Sequence, residues 1–128
     1  MLYIFTGNGK GKTTAALGQA VRAVGEGKKV LMVQFIKGPW KSGEDNVEIL
    51  CGELSSPQSK KGAFKLAKMG KGFVGIMGDT LPKEEHQKAA EEALGYARQE
   101  IESGKVDVLI LDEVNNAVFL NLIPKEKV

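Results

Sequence analysis

Residues 3–16 read Y-I-F-T-G-N-G-K-G-K-T-T-A-A, and this stretch decides the fold. An apolar run at residues 2–5 is followed by a loop with three glycines, and Gly11-Lys12-Thr13 then opens an alanine-rich helix. A strand, a glycine loop and a helix in this order are typical of a phosphate-binding loop. Glycines let backbone N–H groups turn inward on an anion, and the new helix adds its unpaired first-turn donors. We therefore predict a polyphosphate site here.

The loop departs slightly from the consensus G-x-x-x-x-G-K-[ST]. The residue five positions before Gly11 is Thr6, and the first glycine is Gly7. The remaining glycines still supply flexible backbone, so we expect Lys12 to bridge the outer phosphates and the Thr13 hydroxyl to ligate Mg²⁺. The alternative is a basic glycine turn that only caps a helix.

Composition narrows the class of protein. The 128 residues predict one domain, 1–128, which is long enough to bury a core. A net charge of only +2 and an aromatic content of 6% argue against a nucleic-acid partner. The single cysteine, Cys51, excludes an intrachain disulfide, and we interpret it as a small buried side chain. With no signal-peptide pattern and no long apolar run, we predict a cytoplasmic protein without a membrane span.

Apolar periodicity predicts the secondary structure, beginning with a βαβ unit of parallel strands. The later helix starts at Leu81-Pro82, where Asp79 or Thr80 can cap it, and ends at Ser103-Gly104. The predicted strands are 2–5, 29–35, 47–50 and 106–112, and the predicted helices are 13–26, 81–103 and the beginning of one at 120–128.

Two segments of the sequence, residues 36–46 and 52–80, can each be interpreted in two ways. Residues 36–46 form a polar loop at the carboxyl end of the second strand, where open parallel sheets bind ligands. The side chains that would line such a site are Gln34, Lys37, Trp40, Glu44 and Asn46. The alternative is a solvated connection with Trp40 folded down as cover. Residues 52–80 are either a mobile basic loop, suited to a lid, or an ordinary wet surface carrying Lys60, Lys61, Lys65, Lys68 and Lys71.

The strand at 106–112 ends in two carboxylates, Asp112 and Glu113. An apolar run followed by a carboxylate is the second half of a phosphate-loop nucleotide site. We expect this strand to lie beside the loop strand 2–5 and to aim Asp112 at Mg²⁺ or its water shell. The only histidine, His86, lies among charged neighbours, and we interpret it as a surface residue.

With these motifs in place, the chain resembles the phosphate-loop type of ATP:corrinoid adenosyltransferase. The shared motifs are T-G-N-G-K-G-K-T-T-A-A at 6–16, V-Q-F-I-K-G at 33–38, G-E-x-N at 43–46, M-G-K-G-F at 69–73 and L-D-E at 111–113. The resemblance implies an α/β, three-layer RecA-like P-loop NTPase fold with a mostly parallel sheet. It also implies transfer of the 5′-deoxyadenosyl group of ATP to a Co(I) corrinoid, with triphosphate leaving.

The resemblance also implies roles for individual residues and partners. Lys12, Thr13 and Glu113 would be catalytic, and Thr13, Asp112 and Glu113 would hold Mg²⁺. Contacts to ATP or the corrinoid would come from Thr6, Gly7, Asn8, Gly9, Lys10, Gly11, Lys12, Thr13, Thr14, Lys37, Glu44, Asn46 and Phe73. A homodimer and a flavoprotein reductase are the expected protein partners.

Two departures from the family pattern keep other functions open. The family's aromatic pair G-F-x-W is used to crowd the lower face of the corrinoid, but here Phe73 is followed by Gly75 at the tryptophan position. The chain also ends near Val128, where the family continues with a strand and a T-G-R segment, so the fold is expected to be incomplete at this end. The alternatives are a RecA-like ATPase and a nucleotide-binding module without turnover.

Overall fold

The computed structural model describes residues 1–38, 40–47 and 62–128. Three helices and three strands account for most of the regular structure. The helices are α1 (Lys12–Gly25), α2 (Lys83–Glu102) and α3 (Val114–Phe119), the strands are β1 (Lys29–Gln34), β2 (Ala63–Lys68) and β3 (Val108–Asp112), and short 3₁₀ turns cover Gly43–Asn46 and Lys125–Lys127.

The strands form a parallel sheet in the order β2-β1-β3. The last residue of β1, Gln34, is in register with Lys68 of β2 and with Asp112 of β3. Because carboxyl ends of parallel strands meet at one edge, these three polar side chains form a row where ligands bind in open α/β sheets. We call this row of Gln34, Lys68 and Asp112 the polar edge.

Helices cover both faces of the sheet. Successive side chains of β1 point to opposite faces, and Val30 packs with Ala20 and Val24 of α1. Leu31 and Val33 pack in a second cluster with buried alanines of α2 and with Ala117 of α3. The architecture is thus helix, sheet, helix, which confirms the predicted three-layer α/β fold class.

Helix α2 follows the sequence prediction closely. Its buried positions include Ala89, Ala93 and Ala97, which recur every four residues along one face. Pro82 precedes the first turn, and Gly104 follows the helix with φ of 68°, a conformation that favours glycine. Among the helices described, none combines the length and apolarity needed to cross a bilayer.

The predicted strand at residues 2–5 is wrong. These residues form no strand, and Leu2, Tyr3 and Ile4 are exposed by 82%, 65% and 69%. The expectation that β3 lies beside this segment is wrong as well, because the described sheet contains only β2, β1 and β3, and β1 is the only described strand that pairs with β3. A short apolar run becomes a strand only when a neighbour satisfies its N–H and C=O groups, and no described strand pairs with residues 2–5.

Strand β2 was missed, since residues 63–68 were predicted as loop or wet surface. Lys65 and Lys68 belong to this strand, and it lies at one end of the sheet order. Lysine is common on edge strands, where it discourages pairing with other chains. Lys60 and Lys61, which belong to the same basic stretch, lie outside the described residues.

The prediction for the C-terminal region is also wrong in part. The short helix α3 was not predicted, and residues 120–128 contain only the 3₁₀ turn Lys125–Lys127. Pro124 precedes this turn, and proline disfavours helical backbone at the residue before it. The predicted strand at 47–50 reaches residues outside the described part of the chain, as does Cys51.

Candidate nucleotide-binding site

The glycine loop adopts backbone conformations that favour glycine. Gly7, Gly9 and Gly11 have φ of 133°, 90° and 112°. A Cβ atom added at any of them would meet nothing within 4 Å. The glycines are therefore needed for backbone conformation rather than for space. The loop's other predicted contact residues, Thr6, Asn8 and Lys10, are exposed, as is Thr14 in the helix.

Helix α1 begins directly after the loop. Gly11 is its N-cap residue and provides no side-chain cap, while the first internal hydrogen bond runs from Ala15 N to Gly11 O. The first-turn N–H groups of a helix have no intrahelical partner. They are thus available to an anion at the positive end of the helix dipole.

The Lys12 side chain folds back over the loop. Its Nζ donates to the carbonyl oxygens of Gly7 at 2.8 Å and Gly9 at 2.6 Å. An open cavity of about 460 Å³ is lined by residues 4–12 and Ala15, a size within the range of small-molecule sites. The ammonium group therefore lies within the loop, where a phosphate could replace the two carbonyls as its partner.

The start of α1 meets the end of β3. Thr13 Oγ1 donates to Asp112 Oδ1 at 3.0 Å, although the two residues are 99 positions apart in the chain. Asp112 is buried. The structure thus brings the hydroxyl predicted to ligate Mg²⁺ within hydrogen-bond distance of the carboxylate predicted to face it.

Gln34 connects Asp112 to the loop after β1. This fully buried side chain donates through Nε2 to Asp112 Oδ2 at 3.0 Å and to Glu44 Oε1 at 3.2 Å. Among the residues that the structure describes, its own Oε1 has no hydrogen-bond partner. An unpaired buried oxygen is costly, so the hydrogen bonds from Nε2 to the two carboxylates must be what orients the amide. A glutamine inside an otherwise apolar strand was the sequence signal for this contact.

Lys37 adds a positive charge to the same group of side chains. It donates to Glu44 Oε1, and its Nζ lies 3.8 Å from Asp112 Oδ2. Burial raises the pKa of Glu44, but the hydrogen bonds from Lys37, its own backbone and Gln34 outweigh this and lower it to about 2. Glu44 is therefore ionised at neutral pH and paired with Lys37.

Glu113 follows β3 in a left-handed conformation, with φ of 62°, as the N-cap residue of α3. Such a conformation is uncommon for a residue with a side chain. Burial and the neighbouring charge of Asp112 raise the pKa of Glu113, while Lys37 and Lys12 oppose the shift. Glu113 therefore lies within electrostatic range of both lysines of the site.

An aromatic pair flanks the polar edge. The rings of Trp40 and Phe73 lie 5.7 Å apart at 34°, and they are exposed by 59% and 42%. Gly72 lies under the pair, since a Cβ there would be 2.9 Å from the Trp40 ring. Trp40 is therefore not folded down as cover. The last predicted contact, Asn46, is exposed at the end of its 3₁₀ turn.

The interpretation of His86 as a surface residue is wrong. It is 3% exposed, and its Nε2 lies 2.9 Å from Asp79 Oδ2. Asp79 also accepts hydrogen bonds from the backbone N–H groups of Gly75 and Leu81, which with His86 lower its pKa against the effect of burial. His86 lies on the inward face of α2, one helical period from Ala89 and Ala90, and that spacing was the overlooked signal.

Within the described ranges, no three histidine, cysteine or acidic side chains gather into a metal cage. A cage is not what Mg²⁺ requires at a nucleotide site, where one or two carboxylates act together with substrate phosphates and water. Thr13 Oγ1 and Asp112 Oδ1 offer the hard oxygen ligands that this ion prefers. The residues present therefore fit a magnesium nucleotide.

The whole chain matches one known protein family. The family model described as ATP:corrinoid adenosyltransferase BtuR/CobO/CobP matches residues 1–128. The corrinoid adenosyltransferase of Escherichia coli K12 is 41% identical over 128 residues, which is 100% of this chain and 58% of that protein. Corrinoid adenosyltransferase CobA of Salmonella typhimurium is 38% identical over the same shares of the two chains.

A further relative is more distant. The corrinoid adenosyltransferase of Pseudomonas aeruginosa is 35% identical over 118 residues, covering 92% of this chain and 52% of that protein. The chain thus spans between half and three-fifths of the length of these relatives. Since the family model covers every residue, the chain belongs to the ATP:corrinoid adenosyltransferase BtuR/CobO/CobP family.

Proposed function

We propose that residues 1–128 act as one P-loop nucleotide-binding domain that transfers the 5′-deoxyadenosyl group of ATP to a Co(I) corrinoid. The observation that carries the proposal is the hydrogen bond between Thr13 and Asp112, formed next to a loop that encloses the Lys12 ammonium. Family membership and the names of the relatives support the choice of reaction. Cobalt donates an electron pair to C5′, the Co–C bond forms, the C5′–O bond breaks, and triphosphate leaves with the bonding pair.

The chain's main task in this reaction is to bind and stabilise the departing triphosphate. Negative charge grows on it as the C5′–O bond breaks, so donors aimed at that position lower the barrier. Lys12 and the first-turn N–H groups of α1 are suitably placed donors. Bound Mg²⁺ would neutralise further phosphate charge, with Thr13, Asp112 and Glu113 as the residues to hold it.

The second task is to hold the corrinoid so that cobalt faces C5′, because alignment of the reacting atoms supplies much of such an acceleration. Phe73 with Trp40 offers an exposed aromatic surface beside the polar edge. Lys37, Glu44 and Asn46 lie on the same loop as Trp40, and the Lys37 ammonium contacts both Glu44 and Asp112. We assign these residues to the corrinoid side of the site.

Two protein partners belong to the proposal. A flavoprotein reductase would keep the cobalt in the Co(I) state that the reaction consumes. A homodimer is supported by the sheet, in which β3 pairs on one side only among the described strands, since a free strand edge is a template for association.

The reaction can be tested with purified protein, ATP, Mg²⁺ and chemically reduced cobalamin. We expect adenosylcobalamin by its absorption spectrum and triphosphate in equal amount. Lys12→Ala should weaken ATP binding about 10- to 100-fold, because charge-assisted hydrogen bonds to phosphate are lost. Lys28→Ala, at an exposed position between α1 and β1, is the matched control and should bind ATP normally.

Two results would refute the proposal. Release of ADP and phosphate without a corrinoid product would identify an ATPase. ATP binding without any change in the corrinoid spectrum would identify a nucleotide-binding module.

A further inference from the structure

Lys68, the last residue of β2, directs its side chain at the loop that follows β1. Its Nζ donates to Asp45 Oδ2 at 2.7 Å, to the Trp40 carbonyl at 2.7 Å and to Ser42 Oγ at 3.3 Å. A lysine ammonium has three N–H donors, and these contacts use all of them. They all go to residues 40–47, which we call the clamped segment.

The main acceptor in this contact is itself held in place. Asp45 Oδ2 also accepts from Ser42 N at 2.6 Å and Ser42 Oγ at 3.1 Å, which closes a capping box on the 3₁₀ turn. The hydrogen bond from Lys68, followed by that from the Ser42 backbone, lowers the pKa of Asp45 to about 2. The carboxylate is therefore charged at neutral pH, and the bond to Lys68 is charge-assisted.

The clamped segment carries two contacts of the proposed site. Glu44, next to Asp45, accepts from Gln34, which in turn donates to Asp112. At the other end, Trp40 stacks on Phe73. Lys68 holds the backbone at Trp40 and the side chain of Asp45, so its three bonds fix both ends of the stretch that bears these contacts.

We propose that Lys68 is a positioning residue that holds the clamped segment against the polar edge and so fixes the Trp40 ring and Glu44. Its three N–H donors are all engaged by acceptors on the clamped segment, so it acts through Trp40 and Glu44 rather than on a substrate. The role in catalysis rests on the proposed function, because it assumes that the clamped segment faces the corrinoid. The positioning itself does not depend on that assumption.

The first test uses the protein without substrates. Trp40 is the only tryptophan, so its fluorescence anisotropy reports the motion of the clamped segment. We expect Lys68→Ala to lower the anisotropy and Lys68→Arg to restore it, since arginine can donate to the same acceptors. Lys105→Ala is the matched control, because it removes an exposed lysine before β3, at the opposite edge of the sheet, and should leave the anisotropy unchanged.

The second test measures kinetics. Lys68→Ala should raise the KM for corrinoid roughly 5- to 50-fold, the range expected when hydrogen bonds to a charged group are lost at a partly exposed site. The Kd for ATP should stay within about twofold of the wild-type value, because the loop and Lys12 are untouched. Should Lys68→Ala fail to fold, Asp45→Asn removes the charged acceptor instead and should lower the anisotropy in the same direction.

Unchanged anisotropy in both Lys68→Ala and Asp45→Asn, or no recovery in Lys68→Arg, would overturn the inference. An equal loss in Lys105→Ala would do so too. A wild-type protein that makes no adenosylcobalamin would refute the proposed function instead, and the anisotropy result would still decide the role of Lys68.

Discussion

The substitution Gly38→Ala tests how closely the loop after β1 crosses the loop after β2. A Cβ atom at Gly38 would lie 2.5 Å from Gly72 N and 2.6 Å from Gly72 Cα. It would also lie 2.9 Å from the carbonyl carbon of Lys71. These are backbone atoms, which cannot rotate away as the end of a side chain can. The crossing is held further by the bond from Gly72 N to Ile36 O at 3.0 Å.

The size of the effect follows from these distances. Ordinary van der Waals contact begins at 3.4 Å, so the two segments must separate by almost an ångström. Inserting one carbon into a tightly packed place typically costs about 1–3 kcal/mol. With an unfolding entropy of about 2.1 cal/mol/K per residue, this corresponds to a Tm lower by roughly 4–11 °C for a chain of this length.

Thermal and urea unfolding followed by circular dichroism provide the measurement. Gly43→Ala is the control, because a Cβ there meets no atom of the described residues within 4 Å and Gly43 has no positive φ. We expect the control to stay within about 0.5 kcal/mol of the wild type. If Gly38→Ala is as stable as Gly43→Ala, the two loops do not cross at contact distance and the assignment of Phe73 to the site loses its geometric basis.

Two further predictions concern the loop and the acid next to it. Gly9→Ala should lower the free energy of unfolding by about 1–2 kcal/mol and weaken ATP binding, because φ of 90° is strained for alanine. Gly18→Ala in α1 is the control, since Gly18 has no positive φ and no close neighbour among the described residues. It should raise the free energy of unfolding by about 0.5–1 kcal/mol in the same urea titration. The pKa of Glu44 is lowered from 4.5 to about 2, so its contribution to stability is complete above pH 4.5 and is lost as the pH falls toward 2. The wild type should therefore lose stability relative to Glu44→Gln between pH 4.5 and 2, by about 1–2 kcal/mol after allowance for solvent screening. Urea unfolding of the two proteins across this pH range measures the difference. Parallel pH profiles would contradict the prediction.

The sequence predicts those parts of the fold in which local pattern and tertiary contacts agree. Helices α1 and α2 have a regular apolar face and clear glycine signals at their ends, and β1 contains a continuous apolar run at residues 30–33. The glycine loop could be located because phosphate-binding loops require particular residue types in a fixed order. The approach of Thr13 to Asp112 was predicted and is observed, although the strand at residues 2–5 that was expected to place the loop beside β3 does not form.

The errors arise where a partner element decides the outcome. Residues 2–5 have strand-like composition but no strand beside them, whereas β2 contains two lysines and still pairs with β1 along its length. Strand formation depends on such neighbours more than on intrinsic preference. The contacts of Lys68 and His86 were missed for the same reason, since each residue is polar locally and meets its acceptor only in the folded chain.

The parallel pairing of all described strands has a kinetic consequence. No two of the described strands can pair as a β-hairpin, because both pairings are parallel. Each pairing joins segments more than thirty residues apart in the chain, such as Lys29 with Ala63 and Val30 with Val108. Proteins rich in such distant pairings fold slowly, because loop-closure entropy is lost before the ladders compensate for it. During synthesis the hydrogen bond between Thr13 and Asp112 cannot form until Asp112 has left the ribosome, so a shorter nascent chain carries the glycine loop without its contact to β3.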